Sequence, residues 1–255
     1  MNRLLTYIAI LVIWLSAVSC ADTREELTIN KDGSGLLAVN TDVSKLVSLI
    51  KSFGGDSSVS MAGMDRAVDT VMLLKDFMDT TTSIAAADKA VLRTGSVHVL
   101  LDARNNTGKI DVSFPYSSQS NLQQLYSSLV NAAGSMKNIT GKMSSGMPGG
   151  GNDSSSIPQL TTVYDISVKK GSYSRTVNAD RYAAFAKMMK PEEMSQAAGM
   201  IGPMSYTLVI NLPSPALQVS NSHAVLSADK KTVTMTSDLL NVFQHPELME
   251  IRIGY

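Results

Sequence analysis

From Leu27 the chain alternates apolar and polar residues: Leu27 and Ile29 flank Thr28, and Asn30 follows. Lys31-Asp32-Gly33-Ser34-Gly35 supplies turn residues, and Leu37 and Val39 resume the alternation, which predicts a β-hairpin. The period then changes. Thr41 or Asp42 can cap a helix in which Val43, Leu46, Val47 and Ile50 recur at helical spacing until Gly54-Gly55 stops it. The predicted unit is ββα.

The same plan returns in the second half. Tyr164, Ile166 and Val168 alternate, Lys169-Lys170-Gly171-Ser172 turn the chain, and Tyr173 to Val177 form the return strand. Asp180 caps a helix with Tyr182, Phe185, Ala186 and Met189 on one face. Val39-Asn40-Thr41-Asp42 matches Val177-Asn178-Ala179-Asp180, and this ordered series predicts an internal duplication. A second strand-rich stretch follows each unit. In the first half Val97, Val99 and Leu101 lead through Asn105-Asn106-Thr107-Gly108 to Ile110, Val112 and Phe114, then to a helix striped by Leu122, Leu125, Tyr126, Leu129, Val130 and Ala133. In the second, strands are expected around Tyr206 to Leu212, Leu217 to Val219, Val233 to Met235 and Met249 to Ile253, with a short helix from Asp238 to Gln244. Residues 65 to 80 fit a helix or a strand followed by a helix equally well. Strands with one apolar face and helices with one apolar stripe predict an α+β fold, antiparallel sheet covered by helices, built from two ββα-based halves. The pattern is compatible with two domains or with one shared sheet.

The first 20 residues follow another rule. Arg3 precedes an apolar run from Ile8 to Leu15, too short for the roughly 20 residues that a membrane span needs, and small residues Ala17, Val18 and Ser19 precede Cys20. Ala17-Val18-Ser19-Cys20 resembles the bacterial lipobox, with Ala17 where leucine is commonest. The resemblance implies cleavage before Cys20, acylation of its thiol by palmitate-type chains and membrane attachment through them. Each buried methylene contributes about 0.8 kcal/mol, so several chains together anchor firmly. The expected organisation is a signal peptide over 1–19, acylated Cys20 and tether over 20–26, an N-terminal half over 27–133, a Gly/Ser/Met-rich linker over 134–157 and a C-terminal half over 158–255.

Composition narrows the partners. The 255 residues carry 22 basic and 22 acidic side chains and one cysteine, which excludes a basic nucleic-acid binder, a disulfide scaffold and a Cys-rich zinc module. Cleavage removes Arg3 and the single tryptophan, Trp14, leaving a body with one more acidic than basic side chain. Chemistry is sparse. His98, His223 and His245 lie near no Gly-x-Ser-x-Gly elbow and form no metal-spaced pair, Asp32-Gly33-Ser34-Gly35 lacks the further ligands of a calcium loop, and Glu192-Glu193 read as a helix first turn. Neither a catalytic residue, a cofactor nor a metal is expected. Eight of the 15 methionines fall between Met136 and Met204. Met188, Met189 and Met200 are candidates for an adaptable apolar groove, or for core.

The run Leu27-Thr28-Ile29-Asn30-Lys31-Asp32-Gly33-Ser34-Gly35, with Asp42-Val43-Ser44-Lys45, resembles uncharacterised Bacteroidetes-type lipoproteins that open on an I-N-x-D-G-S-G hairpin. Leu212-Pro213-Ser214-Pro215-Ala216, Asn221 and Asp229 to Thr234 resemble the LppM domain over about 25 residues, with Ser214 in place of its glycine. That second resemblance implies membrane-attached lipid or glycolipid binding. The expectation is therefore a non-enzymatic, lipid-anchored binding or structural protein of the cell envelope, in the outer membrane at its periplasmic or surface face. Its partners are the membrane through Cys20 and a lipid or envelope protein. The rivals are a carrier of a lipid or other apolar ligand, and a hydrolase.

Overall fold

The first hairpin forms where the alternation places it. Strands β1 (Asp22–Ile29) and β2 (Gly35–Asp42) pair antiparallel, with Ile29 opposite Gly35. Gly33 closes the turn at φ +84°, and the Asp32 carboxylate accepts the Ser34 amide and hydroxyl, which hold its pKa below the ordinary value. The computed structural model describes residues 22–49, 51–52, 67–82, 84–144, 161–188 and 202–255, side chains excepted at 133–144 and 188.

The tether expected over 20–26 is corrected: from Asp22 onward it is strand. Acidic residues there suggested solvation, yet Thr23 and Glu25 occupy the inward phase shared with Leu27 and Ile29, and both are buried. Residues 44–49, helical again at 51–52, form α1. Of the two caps expected, Asp42 serves, accepting the Ser44 amide at 2.9 Å. Val43 and Val47 pack on Gly108, where a Cβ would lie 2.9 Å from each valine methyl. The ambiguous stretch is a strand followed by a helix, β3 (Val68–Leu73) and α2 (Leu74–Met78). An unforeseen helix, α3 (Ala86–Leu92), follows and buries Val91 and Leu92. Strands β4 (Ser96–Asp102) and β5 (Thr107–Tyr116) form the next hairpin, with Asn106 at φ +51° in its turn.

Helix α4 (Gln119–Ser144) runs 11 residues past Ala133 into the expected linker. Met136, Lys137 and Lys142 are good helix formers, and no proline interrupts the chain before Pro148. The remainder of the linker lies outside the described residues. The second hairpin is β6 (Tyr164–Lys169) and β7 (Ser172–Val177), followed by α5 (Ala179–Met188). Asn178, not Asp180, caps this helix by accepting the Arg181 amide at 3.0 Å. The aligned sequences 39–42 and 177–180 thus end their strands three residues apart. Strands β8 (Ser205–Asn211), β9 (Gln218–Val219), β10 (Val225–Leu226) and β11 (Thr232–Asp238), helix α6 (Leu239–Gln244) and β12 (Ile251–Gly254) complete the chain.

Two sheets result, and the fold is α+β. The eight-stranded sheet has the order β10-β11-β8-β1-β2-β5-β4-β3, drawing strands from both ends of the sequence. Its pairs are antiparallel except β1 with β8, which run parallel from Asp22 opposite Ser205. The four-stranded sheet, β6-β7-β12-β9, is antiparallel. One contiguous apolar cluster joins Leu27, Leu37, Phe114, Leu122, Leu125 and Leu208 to Ile166, Tyr173, Phe243 and Ile251, so both sheets share a core. Helix α6 seals one end with Leu239, Val242 and Phe243, and Asp238 caps it by accepting the Asn241 amide. Asp238→Ala is expected to lower unfolding free energy by about 1 kcal/mol, measured as a shifted urea midpoint at unchanged slope.

Candidate functional site

Two polar phases meet inside this core. Glu25 on β1 and Arg175 on β7 are each completely buried, and their side chains pair at 2.9 Å between Arg175 Nη1 and Glu25 Oε2. The Tyr206 hydroxyl donates to the same carboxylate oxygen, the Thr161 hydroxyl donates to it at 3.2 Å, and the Tyr126 hydroxyl approaches Oε1 at 3.5 Å. Arg175 Nη2 donates to the Tyr206 oxygen at 2.9 Å. Its guanidinium also stacks 3.9 Å above the Tyr164 ring. Strands β1 and β8, distant in sequence, thus meet at one arginine of β7, and α4 joins them through Glu25.

Burial and charge fix the protonation states. Burial, the largest single influence, would lower the pKa of Arg175, but the Glu25 carboxylate together with Tyr206, Tyr164 and Tyr173 holds the guanidinium above its ordinary value. Burial pushes the phenols of Tyr126 and Tyr206 well above their ordinary values and that of Tyr164 to about 12. The tyrosines are therefore constant hydrogen-bond donors at neutral pH. Among the described residues, Arg175 Nε and the Tyr173 hydroxyl have no hydrogen-bond partner.

A groove of about 290 Å3 lies outside this network, and Tyr126 and Tyr164 belong to both. One wall is α4, where Gln123, Tyr126, Ser127 and Val130 recur at helical spacing. The other is β6 with the outer face of β7, presenting Asp165, Ser167, Ser174 and Thr176. Arg181 of α5 reaches Asp165 at 2.6 Å, and Asn178 donates to the second oxygen of the same carboxylate. The lining combines hydroxyls, an amide and one ion pair with the apolar side chains of Val130 and Ile166. Its polar groups can exchange hydrogen bonds with a compact polar ligand.

None of the described residues singled out from sequence for chemistry lines this groove. Cys20, Met189 and Met200 lie outside the described residues, as does the side chain of Met188 at the end of α5, so the methionine groove is not located; Glu192 and Glu193 lie outside as well. His245 follows α6 and its Nδ1 lies 3.1 Å from Glu247, and His223 stands in a turn closed by Asn221. His98 on β4 is less solitary than its polar phase suggested. Its Nε2 lies 2.7 Å from Asp69 on β3, its Nδ1 lies 3.4 Å from Asp111 on β5, and Asn40 of β2 donates to Asp111.

That arrangement clasps the edge strand. The hydrogen bond to Asp69, aided by Asp111, raises the His98 pKa above 6.5. Because the folded value exceeds the unfolded one, the stabilisation is complete below pH of about 6.5 and disappears as pH rises through the folded pKa. NMR titration of the imidazole is expected to show the raised pKa, and Asp69→Asn to lower it and flatten this part of the pH dependence of stability.

Among the described residues no helix is long and apolar enough to cross a membrane, and no group of three histidine, cysteine, aspartate or glutamate side chains could hold a metal ion. No family model and no curated protein matches the chain. Among solved structures, the NMR structure of the folded domain of Mycobacterium tuberculosis LppM is distantly similar, at 8% identity and a TM-score of 0.36, over 93% of this chain and 91% of that one.

Proposed function

We propose that this chain is a lipid-anchored protein of the bacterial cell envelope, held in the outer membrane at its periplasmic or surface face by acylated Cys20, that binds a partner rather than transforming one. The observation that carries the anchoring is how close in sequence β1 lies to the cysteine. An interior strand of the larger sheet begins at Asp22, two residues after the lipobox-like cysteine, so cleavage before Cys20 would spare the whole described fold. Acyl chains then supply the attachment that a nearly neutral body lacks. The binding role draws on the polar groove between α4 and β6.

Mass spectrometry of the protein taken from its own membrane tests the anchor. A mature species beginning at an acylated Cys20 is expected, and Cys20→Ala should move the protein out of the membrane fraction. A species beginning at Ala21, or a Cys20 without acyl groups, overturns the reading. The same native sample tests the groove. A co-purifying polar ligand lost in Ser127→Arg supports it, whereas a bound acyl lipid would favour the carrier.

A further inference from the structure

The start of β1 is one point on a common rim of the larger sheet. Asp22 stands opposite Asp42 at the end of β2 and opposite Ser205 at the start of β8. Ser205 in turn faces Asp238 at the end of β11, and Asp42 faces Lys109 near the start of β5. The β4–β5 turn extends the rim with exposed Arg104. Helix α1 is fastened over it, with Val43 N bonded to Gly108 O and the Ser44 hydroxyl accepting the Gly108 amide, which keeps Leu46, 38% exposed, at this end.

Chain geometry ties the rim to the anchor. Two residue steps span at most about 7 Å, so Cys20 cannot lie farther than that from Asp22. We propose that this rim, with Leu46, Arg104 and Lys109, is the face the protein lays against a phospholipid bilayer; this rests on the anchoring reading above. The far end of β1 lies about 24 Å away at strand rise, so the 30–34 turn projects away from the lipid. The rim does not select anionic lipid. Its basic side chains are interleaved with Asp22, Asp42, Asp102 and Asp238, of which Asp22 accepts from Ser205, Asp42 and Asp238 cap helices and Asp102 closes the β4–β5 turn. Leu46 instead meets the interfacial region, where an apolar side chain gains by leaving water.

The chain's one tryptophan precedes Cys20, so a single introduced tryptophan reports position in the mature protein. Leu46→Trp, Lys109→Trp and Lys31→Trp are placed singly in the acylated protein on phosphatidylcholine vesicles brominated at a shallow acyl position. Fluorescence quenching at positions 46 and 109 is expected to exceed that at 31 several-fold, with no change when anionic lipid is added. Equal quenching at all three, or stronger quenching at 31, overturns the proposal. Failure of the anchor is separate, because it appears in the mass of the Cys20 peptide. In that event, coupling Cys20 to a maleimide phospholipid keeps the rim open to the same measurement, and two rim probes guard against one substitution that disturbs folding.

Discussion

Arg175→Ala is expected to lower the unfolding free energy by about 3–5 kcal/mol, read from urea denaturation followed by circular dichroism. The magnitude follows from what remains. Glu25 is fully buried and would keep its carboxylate with the donors of Tyr206, Thr161 and Tyr126 but without a countercharge. Tyr164 would lose the cation stacked on its ring. Glu25→Ala should cost a similar amount by stranding the guanidinium instead. Replacing both ends with apolar residues, Glu25→Leu with Arg175→Met, should cost less than either single alanine change. No charge is then stranded, and among the described residues Arg175 Nε and the Tyr173 hydroxyl already have no hydrogen-bond partner. A double variant as unstable as the sum of the single ones would refute this account.

Gly35→Ala should be the other severe change, at about 3 kcal/mol, the upper end for overpacking. A Cβ at position 35 would fall onto the Thr28 carbonyl oxygen and the Tyr116 hydroxyl. Those two groups are bonded to each other, with Tyr116 donating to Thr28 O at 2.6 Å across the end of the hairpin. The added methyl therefore meets backbone on one side and a fixed ring on the other. Tyr116→Phe removes only the hydrogen bond and should cost about 1 kcal/mol. Combining it with Gly35→Ala should recover little, because the backbone oxygen stays in place. A Gly35→Ala protein with a wild-type urea midpoint would show that the hairpin end yields more easily than its geometry implies.

Much of the fold was legible because period and turn chemistry agree locally. Leu27 and Ile29 against Leu37 and Val39, or Tyr206 to Leu212, specify strands without outside help. The buried network was not legible, although a trace of it was present: Glu25 shares the phase of Leu27 and Ile29, and Arg175 shares that of Tyr173 and Val177. Charges of opposite sign on two apolar phases invite pairing. They stand 150 residues apart, however, and period alone cannot say which strands face one another. Helix α3 was missed because Ala85-Ala86-Ala87 carries helix propensity but no amphipathic stripe. The His98 clasp was hidden behind the ambiguity of β3, which supplies Asp69. The groove needed tertiary structure, since its walls come from α4 and β6.

The parallel pairing of β1 with β8 sets a condition on how the protein assembles. Synthesis starts at the amino terminus, so β1 is present long before residues 205–211 arrive to complete its second side. Until then one flank of that strand is a free template, and Glu25 has no countercharge until Arg175 arrives. Loop closure over so long a separation slows folding, and an open strand edge invites pairing with another chain. The late arrival of a central strand makes this a slow-folding topology that depends on protection until the chain is complete. Its vulnerable interval closes only when residues 205–211, four fifths of the way along the chain, have been delivered.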